Sequence, residues 1–411
     1  MVPFIYDILL FLMLYVLYRS GKEISETGKI RSRAGFAAIL VYTLNEGLRY
    51  GRGIDYNLYG MSYEQLENTG ESNWDISFQF IARALISLDI PWQGYVLIMS
   101  FVFIVSLLIF LNNYKELLPY ALPLFALFST GAVENMVRWY MGFSFILIGL
   151  SYLIREENKN IKKFCIYSAI ACTFHFALFL LPLLFYALSF LKKAVMPPML
   201  TLCVYLGIAF FFQTDFMLQF IGMVNIVATM FDNTSMMENT AERIAHYGDD
   251  AQYWLTGGFA GTAGSVFPNI QELMFWYSLV YLGYKVIIFS NQLYLYAYNL
   301  FIIGFCLNPI ANQIELVGRY DDPLLFFRAI LLACIIEKVY IQKRVVLNRL
   351  VMLLALFIFL NIGRRIFVAP FKVNEEKYLY IWDSDGKSYQ SMYDMWIYDM
   401  YNADSKKSKN E

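Results

Sequence analysis

Charge, histidine and paired cysteine are all scarce in this 411-residue chain, and each scarcity closes off a class of protein. Charged residues make up 16% and hydrophobic residues 59%, against about 25% and 45–50% in a soluble domain. A formal net charge of -1, with no basic arm and no zinc-finger spacing, gives nothing to draw the chain to nucleic acid. Cys165, Cys172, Cys203, Cys306 and Cys334 lie far apart in apolar runs, with no CxxC. They read as small core residues rather than a disulfide framework or thiolate metal site. The two histidines, His175 and His246, argue against a polyhistidine centre, so neither a metal nor a cofactor is expected. The apolar start, Val2 to Tyr18, has no basic n-region and no small-residue cleavage site. It therefore reads as a first span rather than a cleaved signal.

What the chain has in abundance is long apolar runs. At about 20 residues per span they predict an all-α polytopic membrane protein of about 11–12 transmembrane or re-entrant helices with one long outer loop. Basic clusters orient it. Arg19, Lys22, Lys29, Arg31 and Arg33 follow the first run, Pro3–Tyr18, and mark the inner side. Arg155, Lys159, Lys162 and Lys163 repeat the mark, as do Lys338, Lys343, Arg344 and Arg349. Phe164–Leu191 is too long for one upright helix, and charge parity on either side favours a hairpin or re-entrant pair breaking near His175. On this reading residues 1–362 form the membrane domain, with outer loops 49–93 and 214–271. Residues 363–411 form a polar outer tail, the part a chain-length regulator would meet. Within the first loop, Ile76, Phe80, Ile81, Ala84, Leu85 and Leu88 recur at helical spacing behind Asp75, a candidate cap, and predict an interfacial helix.

Against that background Leu48–Tyr59 stands out. Arg49, Tyr50, Arg52, Asp55, Tyr56 and Tyr59 crowd around Gly51 and Gly53 at the mouth of a span. Polar clusters there are costly to hold and mark sites. Glu134, Asn135, Arg138, Trp139 and Tyr140 form a second knot, and Glu315, Arg319, Tyr320 and Asp321 a third. In the long loop Arg243 and Tyr247 stand one helical turn apart. The topology brings Arg49, Arg52, Asp55, Arg138, His175, Arg243, Tyr247, Glu315 and Arg319 to the outer face. Outer arginines run against the insertion bias and so need another reason.

Converging arginines fit a highly anionic ligand, since guanidinium forks bind phosphate oxygens in pairs. Tyr50, Tyr56, Tyr59, Tyr140 and Tyr320 offer ring faces and hydroxyls to sugars, and the apolar bundle offers a groove to an isoprenoid or acyl tail. His175, in an apolar run and titrating near neutrality, is the candidate general base. The alternative for it is a structural histidine bonded to a carbonyl at a helix break. His246 reads as a solvated loop residue. Asp55, Glu134, Glu315 and Asp321 are alternative bases or ion-pair partners of the arginines.

Arg49-Tyr50-Gly51-x-Gly53-x-Asp55-Tyr56-x-x-Tyr59 resembles the signature after the second span of EpsG-like polysaccharide polymerases, a branch of the Wzy-type O-antigen and capsule polymerases. Glu134-Asn135-x-x-Arg138 resembles their N-x-x-R-Q stretch, with Trp139 in place of the glutamine. Phe174-His175-Phe176-Ala177-Leu178 resembles F-H-x-S-A-L, Arg243 and Tyr247 the R-x-x-x-Y of the long loop, and Arg319-Tyr320 the late arginine. The resemblance implies a fold like the GT-C membrane glycosyltransferases and a metal-independent glycosyl transfer. Its substrate would be an undecaprenyl-pyrophosphate-linked oligosaccharide in membrane lipid, at the outer face of the bacterial cytoplasmic membrane. It implies Arg138, Arg319, Arg49 and Arg243 on the pyrophosphate and His175 or Asp55 on the acceptor proton. A flippase or transporter for the same lipid would want the same groups, but distributed along a path through the bundle. An O-antigen ligase shares the donor and differs in acceptor. A membrane acyltransferase would explain a lone histidine but not the arginines, and an inactive structural partner would explain neither.

Overall fold

The computed structural model describes residues 2–71, 74–155, 159–211, 270–287, 292–311, 315–341, 379–384 and 386–396. These are almost wholly helical, and successive helices run back and forth between two ends of one bundle. α1 (Val2–Thr27) and α2 (Arg33–Gly47) form the first pair, with Ser32 capping α2 by accepting from Gly35 N at 3.2 Å. A short strand, β1 (Arg49–Tyr50), leads into α3 (Ile54–Thr69) and α4 (Ile76–Ile86), which cover that end. α5 (Trp92–Leu111) and α6 (Leu118–Asn135) follow, joined by a 3-10 turn in which Tyr114 leaves helical geometry. α7 (Val137–Leu153), α8 (Ile161–Phe174), α9 (Leu180–Leu188) and α10 (Pro198–Phe211) come next. The later helices are α11 (Ile270–Ile287), α12 (Gln292–Ala311), α13 (Glu315–Leu325) and α14 (Arg328–Ile335). β2 (Leu379–Tyr380) pairs with β1, and a last helix, α15, spans 389–396.

By length and apolarity, two described stretches are able to cross a membrane: Trp92–Asn135, which is α5 and α6 together, and α12. The basic connections gather at one end of the bundle. Lys338 meets Glu116 at 3.4 Å, Tyr114 donates to Leu293 O at 3.2 Å, and Gln292 donates to Leu191 O. Arg49, Tyr56 and Arg138 lie at the opposite end.

The break at His175 is a hairpin. α8 stops at Phe174, His175 is extended (φ -157, ψ 111), and a 3-10 turn over Phe176–Phe179 leads into α9. The two arms return to one level: Lys159 Nζ donates to Ser189 Oγ at 3.2 Å, and the Phe164 and Tyr186 rings are 6.4 Å apart. At about 1.5 Å per residue, α8 rises only about 21 Å, short of the ~30 Å hydrocarbon core. Small residues let the hairpin approach α7. A Cβ on Gly142 would lie 2.9 Å from Ala171 O and 2.3 Å from the Leu178 side chain. Any larger residue there would separate the two helices.

Three sequence expectations change. Arg19–Thr27 is not loop but the last turns of α1. The first outer loop holds two helices, not one: α3 is polar overall, but Tyr56, Tyr59, Tyr63 and Leu66 give it a buried stripe at helical spacing. Asp75 does not cap α4; its carboxylate turns to Arg138 instead. The loop 214–271, apart from its last two residues in α11, and the run Val345–Ile362 lie outside the described residues.

The hairpin makes a direct prediction. Single cysteines at Lys162 and Lys193 will label from the same side of the membrane as one at Arg31. Labelling of Lys193→Cys from the opposite side would mean one continuous helix through His175.

Candidate active site

The Leu48–Tyr59 stretch folds into a tight turn with both its arginines inside. Arg49 has no exposed surface. It donates to Glu46 O, to Ser100 Oγ at 3.5 Å, and to Val133 O and Glu134 O at 3.3 and 3.5 Å. These acceptors are mostly carbonyls at the C-terminal ends of α2 and α6, where helices leave acceptors unpaired and carry partial negative charge. Arg52 is 2% exposed. It pairs with Glu134 at 2.7 Å, donates from Nε to Leu379 O at 3.1 Å, and lies 4.9 and 4.4 Å from the Tyr6 and Tyr380 ring centres.

Gly53, at φ +103, turns the chain into α3, and a Cβ there would meet Asn135 Oδ1 at 2.5 Å. That close approach lets Asn135 accept from Asp55 N at 2.9 Å and so cap α3. The Tyr56 hydroxyl lies 3.1 Å from Arg49 O and 3.0 Å from Gln93 Oε1.

The far C-terminal segment straps this turn. Arg49 faces Tyr380 and Tyr50 faces Leu379 across the β1–β2 pair. The Tyr380 hydroxyl lies 3.0 Å from Asn45 Oδ1, the Tyr50 hydroxyl donates to Lys387 O at 2.7 Å, and Trp396 Nε1 donates to Gly51 O at 2.7 Å. Tyr389 stacks on Tyr50 at 5.4 Å. The described part of the tail is therefore built into the turn rather than appended to it.

A second cluster forms around Tyr59, which is buried one helical turn beyond Asp55. Arg138, at the start of α7, pairs with Asp75 at 2.6 Å and lies 4.3 Å from the Trp74 ring and 5.7 Å from the Tyr59 ring. Burial pushes the Tyr59 phenol up to about 12; the Asp55 carboxylate adds to the rise, while the Arg138 and Arg319 guanidiniums oppose it. Charges from α3, α7 and α13 thus act on one hydroxyl. Trp139, next to Arg138, meets His175 edge-on at 4.9 Å and Tyr320 at 5.4 Å. Tyr320 donates to Ala177 O at 2.7 Å, and Ser77 and Thr173 hydroxyls lie 2.7 Å apart. These contacts hold the hairpin tip against α4, α7 and α13.

The candidate residues accordingly separate into two groups. Arg49, Tyr50, Arg52, Tyr56 and Asn135 build the frame. Asp55, Tyr59, Arg138, His175, Arg319 and Tyr320 form the second cluster, linked through Tyr59 and Trp139. Arg243 and Tyr247 lie outside the described residues; Glu315 opens α13, and its side chain is likewise outside them. Sequence reasoning missed Trp74, Gln93 and the strap residues Leu379, Tyr380, Tyr389 and Trp396. For Trp74 the signal was there, an aromatic one residue before the Asp75 that pairs with Arg138.

The frame sets a stability prediction. Tyr380→Ala removes a buried ring beneath Arg52 and will cost about 3 kcal/mol, whereas Tyr380→Phe, losing one buried hydrogen bond, will cost about 1 kcal/mol. Thermal unfolding in detergent or nanodiscs measures both. Equal, negligible shifts would mean the strap does not hold the turn.

No curated protein and no solved structure matches the chain. The EpsG family model matches residues 33–398, from the start of α2 to just past α15. That range takes in the turn, the cluster around Tyr59, the hairpin and the strap. The chain belongs to the EpsG family, and with its apolar helices that makes it a membrane protein of polysaccharide biosynthesis.

Proposed function

We propose that the protein is an integral-membrane glycosyltransferase that polymerises undecaprenyl-pyrophosphate-linked oligosaccharide repeat units at the outer face of the bacterial cytoplasmic membrane. The observation that carries this reading is the gathering of Arg138, Arg319 and Asp55 around Tyr59, with His175 joined to them through Trp139. In the proposed reaction an acceptor hydroxyl oxygen bonds to the anomeric carbon of the donor. The bond from that carbon to the pyrophosphate oxygen breaks, and lipid pyrophosphate leaves. Arg138 and Arg319 stabilise the charge growing on the leaving oxygens, and such fixed charge commonly contributes more to catalysis than any other single effect. His175 takes the acceptor proton, with Asp55 the alternative base. Trp74, half-buried beside Arg138, gives the sugar ring a flat face next to the charge. Arg49 and Arg52, held by carbonyls and Glu134, act by positioning β1 and α3. The multi-pass topology with both ends outside belongs to the same proposal, supported by the alternating helices and the lysines gathered at the far end.

One observation favours a second reading. Deeper in the bundle Asp321 is 2% and Arg328 6% exposed. Asn308 donates to Asp321 at 3.0 Å, and Arg328 lies 4.3 and 4.8 Å from the Phe128 and Trp276 rings. Buried polar groups of this kind are what a flippase path would use. Here they are packed among aromatics, which suits a structural role better.

In a deletion strain, wild-type protein will restore the ladder of glycan lengths. Arg138→Ala, with one leaving-group donor gone, will lower polymer formation about a hundred- to a thousandfold at equal membrane abundance. Arg138→Lys will recover only part, because lysine keeps the charge but loses the fork and the stacking on Trp74. Accumulation of lipid-linked single units on the inner leaflet would make the protein a flippase. Long polymer that stays on its carrier lipid would make it a ligase.

A further inference from the structure

We propose that the groove between α8 and α9 holds the polyprenyl chain of the lipid-linked donor, with the pyrophosphate end of that lipid at the hairpin tip. The inference deepens the reading of the site given above and rests on it. The groove has a volume of roughly 490 Å³ and is lined almost wholly by apolar atoms, within the range of about 300–1,000 Å³ usual for small-molecule sites.

It follows the hairpin along its length. Ile161 and Tyr186 line the end near the lysines, and Cys172 and Phe179 line the end within one turn of His175. Eleven residues separate Ile161 from Cys172, a rise of about 16 Å. On the α8 wall the Ser168 hydroxyl already donates to Phe164 O at 2.8 Å, so that wall offers an apolar chain no unsatisfied hydroxyl. Ser168, Ala169 and Pro182 are small, which leaves the space between the arms unfilled.

The polarity gradient identifies the occupant. One end of the groove is bare hydrocarbon. The other abuts the His175, Trp139 and Tyr320 cluster, beside Arg138 and Arg319. A ligand matching both ends has a long apolar tail and a strongly anionic head. A polyprenyl pyrophosphate has both, in that order. The hairpin form explains why the groove ends at the chemistry: a continuous helix through His175 would carry no such tip.

The test uses the full chain in nanodiscs and two donors bearing the same repeat unit, one on undecaprenyl and one on geranyl pyrophosphate. Ile161→Trp fills the far end of the groove from an exposed position, beyond the reach of the short geranyl chain. Ile166→Trp, on the same helix at 56% exposure and outside the groove, is the control. Ile161→Trp will raise KM for the undecaprenyl donor about tenfold, as expected for losing roughly two methylenes of contact, and leave the geranyl donor unchanged. Ile166→Trp will change neither. An equal effect on both donors, or none on either, overturns the proposal.

A second readout needs no catalysis. Cys165 and Cys172 line the groove, whereas exposed Cys203 lies on α10. Undecaprenyl pyrophosphate, but not added phosphatidylglycerol, will slow alkylation of the first two by a membrane-permeant maleimide and leave Cys203 unaffected. Protection without any polymerisation by wild type would keep the groove and remove the polymerase. Equal protection by phosphatidylglycerol would make it a site for bulk lipid only and overturn the proposal.

Discussion

Everything at the working end of this protein hangs on two guanidiniums with almost no access to solvent. Arg49 meets the terminal carbonyls of α2 and α6, groups that would otherwise be buried acceptors without donors. Arg52 is balanced by Glu134 and walled by Tyr6 and Tyr380. Neither charge tolerates loss of its partners at such depth, and neither set of partners tolerates loss of the charge. One node therefore fixes α1, α2, α6 and the C-terminal strap relative to one another. α3 starts from that node, so the positions of Asp55 and Tyr59 follow from it.

The node also explains why a segment from the far end of the chain is needed. β1 is two residues long, and its partner strand comes from the far C-terminal segment. The Tyr50 side chain and Lys387 O, 337 residues apart in sequence, tie the two segments together. An unpaired edge beside two buried arginines would admit water to the very contacts that make the arginines tolerable. Leu379 O, which accepts from Arg52, shows the strap serving the same charge directly.

Part of this was legible in the sequence. The hairpin at His175 could be inferred because insertion leaves lysines on one side, and the lysines on either flank agreed. Helix α4 was legible from its spacing. α3 was not, because its buried stripe is made of tyrosines, and tyrosines beside arginines look like ligand contacts. The strap was illegible for a plainer reason: a two-residue strand carries no period, and its partner lies more than three hundred residues away. The sorting of arginines was equally hidden. Arg49 and Arg138 each follow an apolar helix and precede an aromatic, and only packing separates the one held by carbonyls from the one paired with a partly exposed carboxylate.

That separation bears on how a site with so many cations stays assembled before its ligand arrives. The partners of Arg49 are backbone carbonyls, which are fixed and cannot be exchanged. The partner of Arg138 is the side chain of Asp75, on a different element and partly exposed. With Trp74 beneath it, that carboxylate holds the Arg138 guanidinium in one orientation. In the proposed reaction an incoming pyrophosphate would replace one oxygen anion with another, with little reorganisation of the arginine. Preorganisation of this kind is what makes a fixed charge effective in catalysis. It requires a rigid frame on one side and an exchangeable counterion on the other, and the two arginine environments supply one each.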